Sequence, residues 1–150
     1  MDKNGLGEQP IEKLYAFMME QIIRKYRAIA GKTLRQHQSG LQVDEWVVLK
    51  QISEKDGCSQ IELARSTLTG PAKMTRMIDN LVHKELVEKQ QSEEDRRRHQ
   101  IFVSKKGKQL IQKLWPEVAA YRQAALKGFS DADKKKLMDL LQKMIDNLDD

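Results

Sequence analysis

Four residues in one short stretch, Lys73, Thr75, Arg76 and Asn80, carry side chains that can read base edges. Arginine and lysine donate to guanine, asparagine matches the donor–acceptor pair of adenine, and a threonine methyl can meet the methyl of thymine. Helical spacing sets Lys73, Arg76 and Asn80 along one side, with Thr75 beside them. The same four would also make an ordinary solvated helix face, so they carry meaning only with their surroundings. A second group follows at Asp95, Arg96, Arg97 and Arg98. Three adjacent guanidiniums repel one another unless an anion relieves them, and arginine suits the narrow minor groove, where the negative potential is enhanced. Asp95 offers a carboxylate to orient one of them by a bidentate contact. The competing reading is a charge-rich loop neutralised by Glu93, Glu94 and Asp95.

The elements that must position these groups follow from periodicity. Pro71 suits a first helical position, and Met74, Met77, Ile78, Leu81 and Val82 then recur at helical spacing. Before it, Ser59-Gln60-Ile61-Glu62 forms a capping box that opens a short helix with Ile61, Leu63 and Ala64 inward. Asp44 can cap a preceding helix carrying Trp46, Val47, Leu49 and Ile52, which Asp56-Gly57 stops. Two short amphipathic helices joined by a tight turn make a helix-turn-helix. The period then changes to two, and 86–91 and 99–103 read as strands flanking the polar segment 92–98. A helix-turn-helix followed by a hairpin with a basic tip is a winged helix.

At either end the pattern is helical again. From Ile11 to about Gln38, with Pro10 near the first turn, apolar residues from Leu14 to Leu34 recur at threes and fours, about seven turns in all. Ser39-Gly40 ends this helix. Ser104 can cap a helix that Pro116 should kink or split, and Ser130 with Asp131 and Asp133 opens a last one rich in Leu and Met. The fold class expected is mainly α with a small β component: a winged helix-turn-helix flanked by N- and C-terminal helices.

Composition narrows the function. Of 150 residues, 33% are charged and 39% apolar, with three prolines, which fits a soluble helical protein. No run of about 18 apolar residues exists, and the polar N-terminus lacks the apolar core of a secretory signal, so neither a membrane partner nor export is expected. A single cysteine agrees with a cytoplasmic location. The net charge is +5, and 59–108 alone holds eleven Lys/Arg against seven Asp/Glu, so the excess lies largely in the candidate reader. His37, His83 and His99 show no ligand spacing, so no metal and no cofactor is expected. No phosphate-binding glycine loop and no nucleophile–base arrangement points to an enzyme. Cys58 precedes the Ser59 cap, where a thiolate can be favoured, although an inert residue in a turn is the simpler reading.

These residues resemble the multiple antibiotic resistance regulator (MarR) family of bacterial transcription factors. The resemblance is carried by LQVDEWVVL (41–49), SQIELA (59–64), MTRMIDNL (74–81), EEDRRRHQIFVSKKG (93–107) and FSDADKKKLMDLLQKM (129–144). Its most specific part is the wing signature, Asp-x-Arg, a strand, then a glycine, matched by Asp95, Arg97, Val103-Ser104 and Gly107. The resemblance implies a homodimer in which 1–40 and 104–150 form a helical dimerisation region and 41–103 a DNA-binding lobe. It implies double-stranded DNA as partner, at a pseudo-palindromic operator with half-sites about one helical turn apart. It also implies a repressor released by a small aromatic or phenolic effector, for which Tyr26, His37, Trp46 and Trp115 are candidate liners. Most relatives have glycine where this chain has Glu85, so the junction between helix and wing is expected to differ in shape. Glu85 and the acidic pair Glu93-Glu94 keep an alternative open, a winged helix that binds protein instead of DNA.

Overall fold

The computed structural model describes residues 11–149, and the side chains from Leu14 onward. Pro10, expected near the first helical turn, lies outside them. In chain order the elements are α1 (Ile11–Gln36), α2 (Val43–Glu54), β1 (Cys58–Ser59), α3 (Gln60–Ser66), α4 (Pro71–His83), β2 (Val87–Gln91), β3 (His99–Val103), α5 (Lys105–Ala125) and α6 (Asp131–Leu148). Two compact units divide at Val118 and Ala119, within α5.

The first unit holds the helix-turn-helix and the hairpin around one core. Leu49, Ile52, Met74, Ile78, Leu81, Ile101 and Leu114 are fully buried there. They come from α2, α4, β3 and α5, so the reading helix is fixed by its inner face against elements distant in sequence. The sheet has the order β1-β3-β2, antiparallel throughout, with Val87 opposite Val103 and Gln91 opposite His99. β1 was not expected from sequence. Its two residues pair Cys58 with Ile101 and Ser59 with Gln100, so the residue that caps α3 also sits in the sheet.

Several expected helix ends are built as read, and some are not. The Ser59 hydroxyl accepts from Glu62 N at 3.1 Å and the Glu62 carboxylate accepts from Ser59 N at 3.1 Å. Ser130 and Asp133 repeat this box at α6, both bonds at 3.0 Å. Asp44 does not cap α2: the helix starts at Val43, and the Glu45 carboxylate accepts from the N–H of the N-cap residue Gln42. Ile61 is 63% exposed and points away from the core that takes Leu63, and Val82 also lies outward. α5 runs through Pro116 without being split.

Three helices end alike without glycine. Gln38, Leu68 and Glu85 have φ of 51°, 51° and 61°, each the first left-handed residue after its helix. After α4, Glu85 N donates to Val82 O and Leu86 N to Leu81 O, both at 2.9 Å. That pair of bonds is a Schellman motif, completed by the apolar contact of buried Leu81 and Leu86. The junction at Glu85 therefore keeps the left-handed turn that glycine would favour, which corrects the expectation of a different shape. Ser104 locks it from the other side, its hydroxyl donating to Glu85 O at 2.6 Å and accepting from Gly107 N at 3.0 Å.

Outside the core, α1 exposes Leu14, Phe17, Met18, Ile22 and Ile23, each about half accessible, while its C-terminal Ala30 and Leu34 are buried. The second unit buries no residue of α6, and Met138, Leu140, Ile145 and Leu148 lie open. Among the described residues no helix is long and apolar enough to cross a membrane.

Candidate nucleic-acid interface

Pro71 starts α4 with no N–H to leave unsatisfied, and Met74, Met77, Ile78 and Leu81 bury one side. The remaining side is turned out by helix geometry and carries Lys73, Thr75, Arg76, Asp79 and Asn80, all exposed. These residues are not in equivalent states. The side chains of Arg76 and Asn80 make no hydrogen bond or ion pair among the described residues and border a shallow hollow of about 250 Å³ with Gln42, Asp44 and Lys73. Lys73 Nζ donates to Asp44 Oδ2 at 2.8 Å, and Arg27 from α1 donates to Asp44 Oδ1 at 2.7 Å. These two cations, Lys73 first, hold the Asp44 carboxyl below the usual carboxylate range. The Thr75 hydroxyl donates to Pro71 O at 3.0 Å and accepts from the Gln60 side chain of α3 at 2.7 Å. Asp79 accepts from Lys89 of β2 at 2.8 Å, tying the helix to the wing.

The wing tip is organised by its own backbone. Asp95 Oδ1 accepts from the Arg97 N–H at 3.0 Å, Asp95 O from Arg98 N at 3.0 Å, and Arg98 O from Ser92 N at 2.9 Å. The bidentate guanidinium contact expected of Asp95 is absent: Arg98 Nε lies 3.8 Å from Oδ2, a single loose approach. The carboxylate shapes the turn instead. The guanidiniums of Arg96 and Arg97 have no partner among the described residues, although the Gln91 side chain donates to Arg96 O at 2.7 Å.

Helix and wing meet across a groove. Arg97, Arg98 and His99 face Ser59, Gln60, Ile61, Ala64, Pro71 and Met74 around a cavity of about 350 Å³. Gln60, held against Thr75, and the exposed Ile61 therefore join the site, neither of them singled out from sequence. Lys106, just beyond the wing, is engaged at the junction by Lys84 O at 3.1 Å and Glu85 Oε2 at 3.7 Å.

The candidate effector liners differ in their surroundings. Trp46 is 2% exposed and belongs to the core. Trp115 packs against that core with the Lys50 ammonium 4.2 Å above its ring. Tyr26 is half-buried on α1. His37 lies 2.6 Å from Glu117 and borders a hollow of about 530 Å³ with Lys84, Lys106 and Lys113. Cys58 is buried, and its thiol is pushed up, first by burial and then by the Glu62 carboxylate, the reverse of an activated thiolate.

A three-stranded antiparallel wing packed on a helix-turn-helix, with open cations on both, defines a winged-helix protein. Residues 41–99 match the MarR family model. The chain is 28% identical over 93 residues to the HTH-type transcriptional regulator BilQ of Clostridium symbiosum (strain WAL-14163), covering 62% of this chain and 65% of that protein, just under two thirds of its length. Among solved structures it resembles a SlyA-like transcription regulator from Listeria monocytogenes at 26% identity and a TM-score of 0.76, over 87% of this chain and 85% of that one. A second Listeria monocytogenes protein, assigned to the MarR family and complexed with 26mer DNA, shares the fold at 24% identity and a TM-score of 0.80, over 94% of this chain and 89% of that one. Over 41–99, the helix-turn-helix and most of the wing, the chain is thus similar to the MarR family.

Proposed function

We propose that this chain is a transcriptional regulator that binds double-stranded DNA. One observation carries the reading: the wing tip and the α3–α4 pair frame a single groove, with the cations of Arg76, Arg96 and Arg97 uncommitted among the described residues. A helix such as α4 fits the major groove, and an arginine at the wing tip suits the adjacent minor groove. In this reading Arg76, Asn80 and Thr75 contact bases, Gln60 steadies Thr75, and Arg97 enters the minor groove. Arg96 and Arg98 lie near the phosphates, Lys73 is held back by Asp44, and Asp95 sets the turn. That a structural neighbour is complexed with 26mer DNA supports DNA as the partner.

The regulator acts as a homodimer in the cytoplasm, on a pseudo-palindromic operator. The support is the apolar face of α1 and, in the other unit, that of α6, neither of which is covered by the described residues. The dimerisation region is assigned to 1–40 and 104–150 and the DNA-binding lobe to 41–103. Repression, relieved by a small aromatic or phenolic effector, completes the proposal, with the hollow beside His37 as the place to look for it. A protein-binding module without DNA contact is less well supported, because Glu85 keeps the left-handed turn that glycine would favour and pairs with Lys106 instead of marking a different surface.

Selection of bound duplexes from a randomised pool tests the reading. The expected product is a palindrome whose binding weakens steeply as salt rises. Failure to retain any duplex in a salt-sensitive manner would overturn it.

A further inference from the structure

Asp44 stands at the reading edge with no helix to cap. The N-terminus of α2 is closed by Gln42 and Glu45, and each Asp44 carboxylate oxygen takes a separate cation. Oδ1 accepts from Arg27 of α1 at 2.7 Å and Oδ2 from Lys73 of α4 at 2.8 Å. All three side chains are exposed by a third or more, so the triad adds little to stability. Its effect is on position. Lys73 lies one turn before Arg76 on the face proposed to meet DNA, yet its ammonium is drawn back toward α2 while Arg76 remains open.

We propose that Asp44 is a positioning residue that withholds the Lys73 ammonium from DNA, so that the affinity of the reading face stays below what its cations allow, and that Arg27 ties this clamp to α1. The inference rests on the DNA-binding reading above. With both cations beside it, the Asp44 carboxyl stays ionised down to pH values below the ordinary carboxylate range, so the clamp is closed throughout the neutral range. Two consequences separate the clamp from a plain change of net charge. The gain on removing the carboxylate must run through Lys73, and Lys73 must become more accessible to small reagents.

The experiment uses the full chain and one duplex selected by the wild-type protein from a randomised pool. Asp44→Asn keeps the shape of the side chain, and a thermal melt checks that it folds. It is expected to bind the duplex about threefold to tenfold more tightly at low salt, with a salt slope steeper by about 0.9, the value of one added phosphate contact. Lys73→Gln alone is expected to change affinity by less than about twofold, but in the Asp44→Asn background it removes the whole gain. In parallel, acylation of Lys73 by acetic anhydride, followed by peptide mass spectrometry without DNA, is expected to run several times faster in Asp44→Asn. Additive effects of the two substitutions overturn the clamp, because the gain would then be charge alone. An unchanged acylation rate overturns it independently of DNA. If acylation accelerates but the wild-type chain retains no duplex, the DNA-binding reading falls, and the withholding role falls with it while the ion triad remains.

Discussion

The two elements that flank the groove hold their charges in opposite ways. α4 is fixed by its buried face, and part of its outer face is spoken for: Lys73 by Asp44, Thr75 by Gln60, Asp79 by Lys89. The wing tip has no core beneath it. Its turn is set by backbone bonds to Asp95 and Ser92, and the Arg96 and Arg97 guanidiniums are left open. A reading helix thus gains direction from packing and loses freedom at its surface, whereas the wing keeps Arg96 and Arg97 available because the carboxylate beside them accepts from the Arg97 main-chain N–H. The lesson is that a carboxylate next to an arginine run need not neutralise it.

The comparison breaks first where both wing strands meet α5. A Cβ added at Gly107 would collide with Leu86 O and crowd the Val103 side chain, at the base of β2 and β3. Gly107→Ala is expected to cost about 3 kcal/mol, read as a lower urea midpoint, since backbone cannot yield as a side chain tip does. An unchanged midpoint would mean that the wing base is looser than its packing implies. Next in size is Arg97→Ala. Loss of an uncommitted guanidinium should weaken binding to the selected duplex by about 2 kcal/mol, roughly 30-fold, with no change in melting temperature. Normal affinity would remove the wing from the interface. On the helix side, Ser59→Ala takes away the cap of α3 and is expected to lower stability by about 1 kcal/mol in the same urea titration. Because β1 also ends at Ser59, a larger loss would show that cap and sheet are coupled there.

What sequence could announce depended on the range of the interaction. The period of α4, the change to strands at 87–91 and 99–103, and the Ser59 and Ser130 boxes are local patterns, and each element forms where its pattern lies. The ends of the Asp44 triad lie 17 and 29 residues away, with nothing near Asp44 to mark them, so by sequence alone an acid two residues into a helix looks like its cap. β1 is two residues long and exists through its pairing with β3, beyond the reach of any periodicity. The face of Ile61 was undecidable because a helix of seven residues has too few turns to define one. Among the candidate site residues, the basic tip and the helix face were visible as types and spacings. The engagement of Lys73 and Lys106, the role of Asp95 on the backbone and the contribution of Gln60 required tertiary distances.

The smallest effect falls on the hinge between the two elements. Glu85 holds φ 61° between α4 and β2, a conformation that costs an L-residue about 1 kcal/mol and glycine almost nothing. Against this stands its approach to Lys106 at 3.7 Å, where both side chains are well exposed and the pair contributes little. Glycine also gives the unfolded chain more freedom, which offsets part of the relief. Glu85→Gly is therefore expected to raise the unfolding free energy by less than about 1 kcal/mol, with duplex affinity changed less than by Arg97→Ala. A loss of stability would show that Glu85 is held by more than its Schellman bonds. A fall in affinity without one would show that the hinge, and not only the two elements it joins, sets the geometry of the groove.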